Sequence, residues 1–82
     1  MAKSTIERIK KVAAEVLRTD AKKIADTARF VKDLGAESIQ SIELVAALEE
    51  EFGVEMNEAD ALKIQSVDTA AAFIDKLVAR KR

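Results

Sequence analysis

Ser38 has the setting best suited to chemistry. It follows Asp33-Leu34-Gly35-Ala36-Glu37 and precedes Ile39-Gln40-Ser41-Ile42-Glu43-Leu44-Val45. The first stretch reads as loop, and the second repeats its apolar residues at helical spacing. A serine at that junction offers an exposed, modifiable hydroxyl. A phosphate attached there would meet the free backbone N–H groups and the positive dipole end of the following helix. The alternative is that the same serine is a plain helix N-cap.

Composition closes off most other chemistries. The 82 residues contain no histidine and no cysteine. That excludes a disulfide framework, a zinc site and a histidine-based triad or general base. The carboxylates have no evident base, metal or oxyanion partner, so the chain is not expected to be an enzyme. No lysine-, glycine- or aromatic-rich motif points to a nucleotide or nucleic-acid partner. No stretch approaches the roughly 20 apolar residues of a membrane span, and the N-terminus lacks the apolar run of a signal peptide. A cytoplasmic or organelle-matrix location is expected, without stable membrane insertion.

Charge is unevenly spread. Residues 1–36 carry nine basic and five acidic side chains, residues 37–60 eight acidic and no basic ones, and residues 61–82 five basic and two acidic ones. The acidic block starts beside Ser38. It can steer the chain toward a positive partner surface, or it can be an ordinary solvated face that aids solubility.

The elements that must position Ser38 are helical. The chain has no proline and only two glycines in an alanine-rich background. A first helix is predicted over Ser4 to Leu17, with Ser4 and Glu7 as a capping box and Ile6, Ile9, Val12, Ala13, Val16 and Leu17 as its apolar face. Residues 18–37 form a long link. Asp20 is placed to cap one helical turn there, and Ile24, Ala28, Phe30, Val31 and Leu34 are expected to tack the link onto the core. Gly35 is expected to supply a backbone angle or a close approach that other residues resist.

A second helix is predicted from Ser38 to Phe52. Its apolar stripe runs through Ile39, Ile42, Val45, Ala46, Leu48 and Phe52, with Gln40, Glu43, Ala47 and Glu50 outward and Gly53 as C-cap. Residues 57–63 read as a short third helix, with Asn57 and Asp60 at capping spacing. Ser66 to Arg80 reads as a fourth, buried through Val67, Ala70, Ala71, Ile74, Leu77 and Val78, with Arg80, Lys81 and Arg82 at its C-terminal end. The expected fold is all-α: one domain over residues 1–82, a four-helix bundle with three long helices, a short third helix and a long first loop.

The run Asp33-Leu34-Gly35-Ala36-Glu37-Ser38-Ile39 closely resembles the prosthetic-group attachment motif of acyl carrier proteins, usually Asp-Leu-Gly-Ala-Asp-Ser-Leu. The likeness continues through Glu43-Leu44-Val45 and Ala47-Leu48-Glu49-Glu50-Glu51-Phe52. It extends to Ile6–Lys11, Ala28-Arg29-Phe30, Lys63-Ile64 and Ser66-Val67. The resemblance implies that Ser38 carries 4′-phosphopantetheine, covalently, through a phosphodiester, and that the terminal thiol of this arm bears an acyl group as a thioester. The protein would then be a carrier that raises the local concentration of its cargo at successive enzymes.

The resemblance also implies partners: a phosphopantetheinyl transferase, an acyl-loading ligase or synthase, and acyltransferases and other fatty-acid or lipid-modifying enzymes. The carrier itself is expected to be monomeric. The second helix becomes the main docking surface, with Glu37, Gln40, Ile42, Glu43, Ala47, Glu49 and Glu50, joined by Met56 and Leu62. Glu51 is expected nearer the bundle edge. The acyl chain would shelter among Phe30, Ala46, Leu48, Val54, Ile64, Ala70 and Ile74, with Ile42 and Met56 beside them. A stripe at helical spacing is core first, and sequence does not separate lining from core.

Some positions depart from the family pattern. Glu37 stands where aspartate is usual, Gln40 where an acid is common, and Ala59 and Leu62 where the third helix is often acidic; Asn57 takes the role of a missing proline. The chain is also less acidic than typical fatty-acid carriers. These departures suit either a specialised lipid pathway or a general fatty-acid carrier. Carriage of polyketide or aminoacyl intermediates is an alternative, as is a helical protein-interaction subunit whose Ser38 is never modified.

Overall fold

A computed structural model of the protein describes residues 4–62 and 64–80. Lys63, Lys81 and Arg82, which the sequence reading placed at the end of the third helix and in the basic tail, lie outside the described residues.

The chain is all-α. Among the described residues it forms α1 (Thr5–Leu17), a 3₁₀ turn (Ala21–Lys23), α2 (Ser38–Phe52), α3 (Glu58–Ala61) and α4 (Val67–Arg80). The starts of α1, the 3₁₀ turn and α3 are fixed by the capping pairs visible in sequence, and α4 starts on a pair that was not. Ser4 Oγ accepts from the Glu7 N–H (3.1 Å), and Glu7 Oε1 accepts from the Ser4 N–H (3.3 Å). Asp20 Oδ1 accepts from the Lys22 N–H (2.9 Å) to start the 3₁₀ turn. At α3, Asn57 Oδ1 accepts from the Asp60 N–H (2.8 Å) and Asp60 Oδ2 accepts from the Asn57 N–H (3.3 Å). At α4, Thr69 Oγ1 accepts from the Ser66 N–H (3.0 Å), and Ser66 Oγ lies 2.8 Å from that hydroxyl. These bonds satisfy donors that a helix N-terminus otherwise leaves unpaired.

α1 is the hub, packing against both α2 and α4. The buried set is Ile9, Val12 and Ala13 from α1, Leu44 and Leu48 from α2, and Val67, Ala70, Ala71 and Ile74 from α4. The alanines at 13, 70 and 71 let the α1 and α4 backbones approach closely. Arg8 ties α1 to the end of α2. Its Nε and Nη2 donate to Glu51 Oε2 and the Glu51 carbonyl (2.9 and 2.8 Å), and its guanidinium lies 4.3 Å from the Phe52 ring centroid. Glu51 thus lies at the bundle edge, as expected from sequence.

α1 ends on Arg18, whose φ of 56° is the only positive value at a non-glycine among the described residues. The left-handed region costs an L-residue roughly 1–2 kcal/mol, whereas a glycine in its place forfeits only about 0.5–1 kcal/mol of chain entropy. Arg18→Gly is therefore expected to stabilise the protein by about 0.5 kcal/mol, read as a raised urea midpoint at unchanged m-value. A lowered midpoint would show that the Arg18 side chain contributes more than its backbone costs.

The long link is built rather than loose. Ile24, Ala28 and Phe30 are buried, and Leu34 is half-buried. Val31 was expected to join them but is 60% exposed, because the turn that buries Phe30 points its neighbour outward. The Phe30 N–H donates to the Gln65 carbonyl (3.0 Å) and the Val67 N–H to the Ala28 carbonyl (2.9 Å), an antiparallel bridge joining the link to the start of α4. The chain then winds tightly. Leu34, Gly35 and Ala36 N–H groups donate back to the Arg29, Val31 and Phe30 carbonyls (3.0, 3.1 and 2.9 Å). Gly35 sits at φ +71° with nothing within 4 Å of where a Cβ would be, so the backbone angle, not crowding, calls for glycine.

A carboxylate locks this turn. Asp33 Oδ2 accepts from the Arg29 N–H and Nε (2.8 and 3.1 Å), and Oδ1 accepts from Nη2 (3.3 Å). The Arg29 guanidinium and N–H hold the Asp33 carboxyl below its ordinary range. A depressed carboxyl stabilises the fold above its unfolded value of about 3.9, and that contribution is lost as pH falls through the lower folded value. Amide exchange at Leu34 and Ala36 is therefore expected to stay slow, once corrected for intrinsic rates, from pH 8 to about 5 and to quicken only below about pH 4. Quickening near neutrality would show that another group holds the turn.

Candidate functional site

Four serines compete for any role as a modified hydroxyl, and their surroundings separate them. Ser4 caps α1 and also donates to Glu7 Oε1 (3.2 Å). Ser66 is buried, and its hydroxyl engages both Asp68 and Thr69. Ser41 is half-buried within α2. Ser38 is exposed and is the first residue of α2.

Ser38 does not cap its own helix. Glu37 takes the N-cap position, with extended backbone (φ −87°, ψ 169°), and its N–H donates to Gln40 Oε1 (2.9 Å). The Glu37 carbonyl accepts from the Ser41 N–H (2.8 Å). The plain N-cap reading of Ser38 is thus displaced by one residue. Among the described residues, none hydrogen-bonds to the Ser38 hydroxyl. It stands at the positive end of a 15-residue helix.

Beside it opens a cavity of about 420 Å³. One wall is Ser41, Ile42, Leu44 and Val45 of α2. Residues Arg29 to Lys32 of the wound link form the second, and Ala61, Leu62, Ile64 and Gln65 the third. Ser38, Ser41, Ile42 and Val45 follow i, i+3, i+4, i+7 and share one face of α2, so the cavity begins about one helical turn from the Ser38 hydroxyl. The bridge between Phe30 and Gln65 fixes the spacing of the other two walls.

Of the residues expected to shelter an acyl chain, Phe30 and Ile64 stand in this wall, and Ile42 joins them. Leu48, Val54, Ala70 and Ile74 are buried but do not line it. Ala46 departs from expectation: it is exposed, because it lies 200° around the helix from both Leu44 and Leu48. Ser41, Leu44, Lys32 and Gln65 line the cavity without having been expected to, as do Val31 and Val45, which the sequence assigned to the core. Helical arithmetic from Ser38 would have found Ser41 and Val45. The link residues depend on a winding that periodicity does not reveal.

The docking candidates divide similarly. Glu37, Glu43 and Glu50 are exposed, as are Ile42 and Leu62, each at 72%. Ile39, assigned to the core stripe from sequence, is 71% exposed. α2 carries apolar residues on two faces, and packing against α1 selects Leu44 and Leu48 for the interior. Ile39, Ile42 and Ala46 are left as an outward stripe rimmed by carboxylates. Gln40, Ala47 and Met56 are half-buried. Glu49 is half-buried too, and its Oε2 accepts from the Met56 N–H (2.7 Å), tying the chain after Gly53 back to α2. Gln40 and Glu43 also face a polar groove shared with Glu15, Val16 and Arg18 of the α1 end.

A helical scaffold that offers a free hydroxyl at a helix start, beside an apolar cavity and an acidic-rimmed face, has the form of a carrier of covalently held cargo. The family model described as the phosphopantetheine attachment site matches residues 7–74, and the chain belongs to that family. It is a phosphopantetheine-dependent carrier, not an enzyme. The residues present fit such a group: a hydroxyl free of capping duty, a helix N-terminus to receive a phosphodiester, and an apolar recess nearby. Among the described residues, no helix is long and apolar enough to cross a membrane.

Proposed function

We propose that Ser38 is the attachment point for 4′-phosphopantetheine and that the chain carries acyl intermediates of fatty-acid or a specialised lipid biosynthesis. The arm supplies a terminal thiol that holds the acyl group as a thioester. The observation carrying this reading is the exposed, uncommitted Ser38 hydroxyl one turn from an aliphatic cavity. Phe30, Val45 and Ile64 offer apolar surface to a chain, and each methylene taken out of water there contributes about 0.8 kcal/mol.

The outward stripe of Ile39, Ile42 and Ala46, with Glu37, Glu43 and Glu50 around it, suits the basic-rimmed apolar surfaces of a transferase, a loading ligase or synthase, and acyltransferases. Exposed charge pairs add little affinity individually. Their contribution is to orientation and encounter rate.

Cargo chemistry is tested by loading the holo protein with an octanoyl or an aminoacyl group and comparing methyl NMR spectra. Octanoyl loading is expected to shift Val45, Ile42 and Ile64, and aminoacyl loading to leave them near their holo positions. Equal shifts with both, or none with octanoyl, would remove the support for acyl carriage.

A further inference from the structure

We propose that Lys32 is a positioning residue for the arm. In this role its ammonium draws the phosphodiester at Ser38 to the cavity side of α2, directing the acyl end into the cavity rather than into solvent. The proposal rests on the reading of Ser38 as the attachment point.

The charges around Ser38 are lopsided. Glu37 immediately before it is exposed, and residues 37–60 carry eight acidic and no basic side chains. A phosphodiester there would add another negative charge to a negative surface. The cavity side differs: its wall contains Arg29 and Lys32 and, among the described residues, no carboxylate. Arg29 is committed to Asp33 through both carboxylate oxygens. Lys32 is exposed, and no described residue hydrogen-bonds to its ammonium. The neighbouring Asp33 carboxylate feels its charge, but that carboxylate is hydrogen-bonded to Arg29, so among the described residues of the wall Lys32 is the cation with no hydrogen-bonded partner to give up when an anion arrives. The Ala36 N–H bond to the Phe30 carbonyl folds the link back on itself, and Lys32 and Ser41 face the same recess from different walls. Repulsion from Glu37 and attraction to Lys32 favour the same direction for the arm.

The test uses the full chain loaded from octanoyl-coenzyme A, with peptide mass spectra recording where the arm sits in each variant. The readout is the rate at which hydroxylamine cleaves the thioester, which measures how far the acyl end is sheltered. Lys32→Ala and Lys32→Glu are expected to be cleaved about two- to fivefold faster than the parent, the range open to one exposed charge contact. Lys32→Arg is expected to stay near the parent. Lys76→Glu, an exposed lysine of α4 outside the cavity wall, controls for net charge. Salt at about 1 M should bring the parent to the rate of Lys32→Ala.

Equal rates for the parent, Lys32→Ala and Lys32→Glu, with the arm on Ser38, would overturn the role of Lys32 alone. So would an equal acceleration in Lys76→Glu. An arm found elsewhere, or not at all, would overturn the Ser38 reading and this proposal with it. Circular dichroism is expected to show all four variants folded, since neither exposed lysine is part of the core.

Discussion

Phe30→Ala is expected to destabilise the protein by about 3–5 kcal/mol, the usual cost of deleting a buried aromatic ring. Phe30 is 3% exposed and serves two structures at once. Its ring belongs to the core and stands in the cavity wall, while its backbone bonds to Gln65 and Ala36 hold the link against α4. Small domains are stable by only about 5–15 kcal/mol, so this single change removes a large share of the total. Urea unfolding should show a sharply lowered midpoint, and amide exchange at Leu34 and Ala36 should quicken beyond the global change. Phe30→Leu, which keeps much of the volume, is expected to cost about 1–2 kcal/mol. A loss below about 1 kcal/mol for Phe30→Ala would mean that the link is held by its backbone bonds and not by the ring.

Ser38→Ala is expected to have the opposite profile, with complete loss of phosphopantetheine loading and stability within about 0.5 kcal/mol of the parent. Gln40 and Glu37 organise the start of α2, and alanine is an excellent helix former at its first position. Ser4→Ala, by contrast, removes a true cap and should cost about 1 kcal/mol without affecting loading. Comparing the two variants by thermal unfolding and label incorporation separates a serine that builds a helix from one that the helix presents. Loading of Ser38→Ala at the parent's rate would place the site on another hydroxyl.

Much of the fold was legible because its signals are local. Ser4 with Glu7, Asp20, and Asn57 with Asp60 sit at capping spacings, and each makes the hydrogen bonds those spacings imply. Gly53 ends α2 at φ 64°, as its position after Phe52 suggested. Less legible was which way α2 faces. Ile39, Ile42 and Ala46 form an apolar stripe of their own beside Leu44 and Leu48, so periodicity alone offers two acceptable inner faces; the choice is made by packing against α1, which lies far away in sequence. The link shows a second limit. Ile24, Ala28 and Phe30 were recognised as anchors, yet residues 29–36 wind through short-range backbone bonds without helical periodicity, and the link is pinned to the start of α4 by the Phe30–Gln65 and Ala28–Val67 bonds between segments far apart in sequence.

At the site, the motif around Ser38 could be read directly, whereas the cavity beside it could not. Leu48, Ala70 and Ile74 carry the residue types of a cavity wall but are packed into the core, and the wall is completed by Val31, Lys32 and Gln65, which have no periodic signature. Glu49 shows the same difficulty for charge. It belongs to the acidic block by composition, but its carboxylate is turned onto the Met56 N–H.

The most direct test of the central claim is peptide mass spectrometry of the wild-type chain after incubation with coenzyme A, magnesium and a broad-range phosphopantetheinyl transferase. The account predicts a single phosphopantetheine increment, fragmenting to Ser38, with Ser4, Ser41 and Ser66 unmodified. An increment on any other residue, or none on folded protein while the same transferase loads a known carrier, would contradict it.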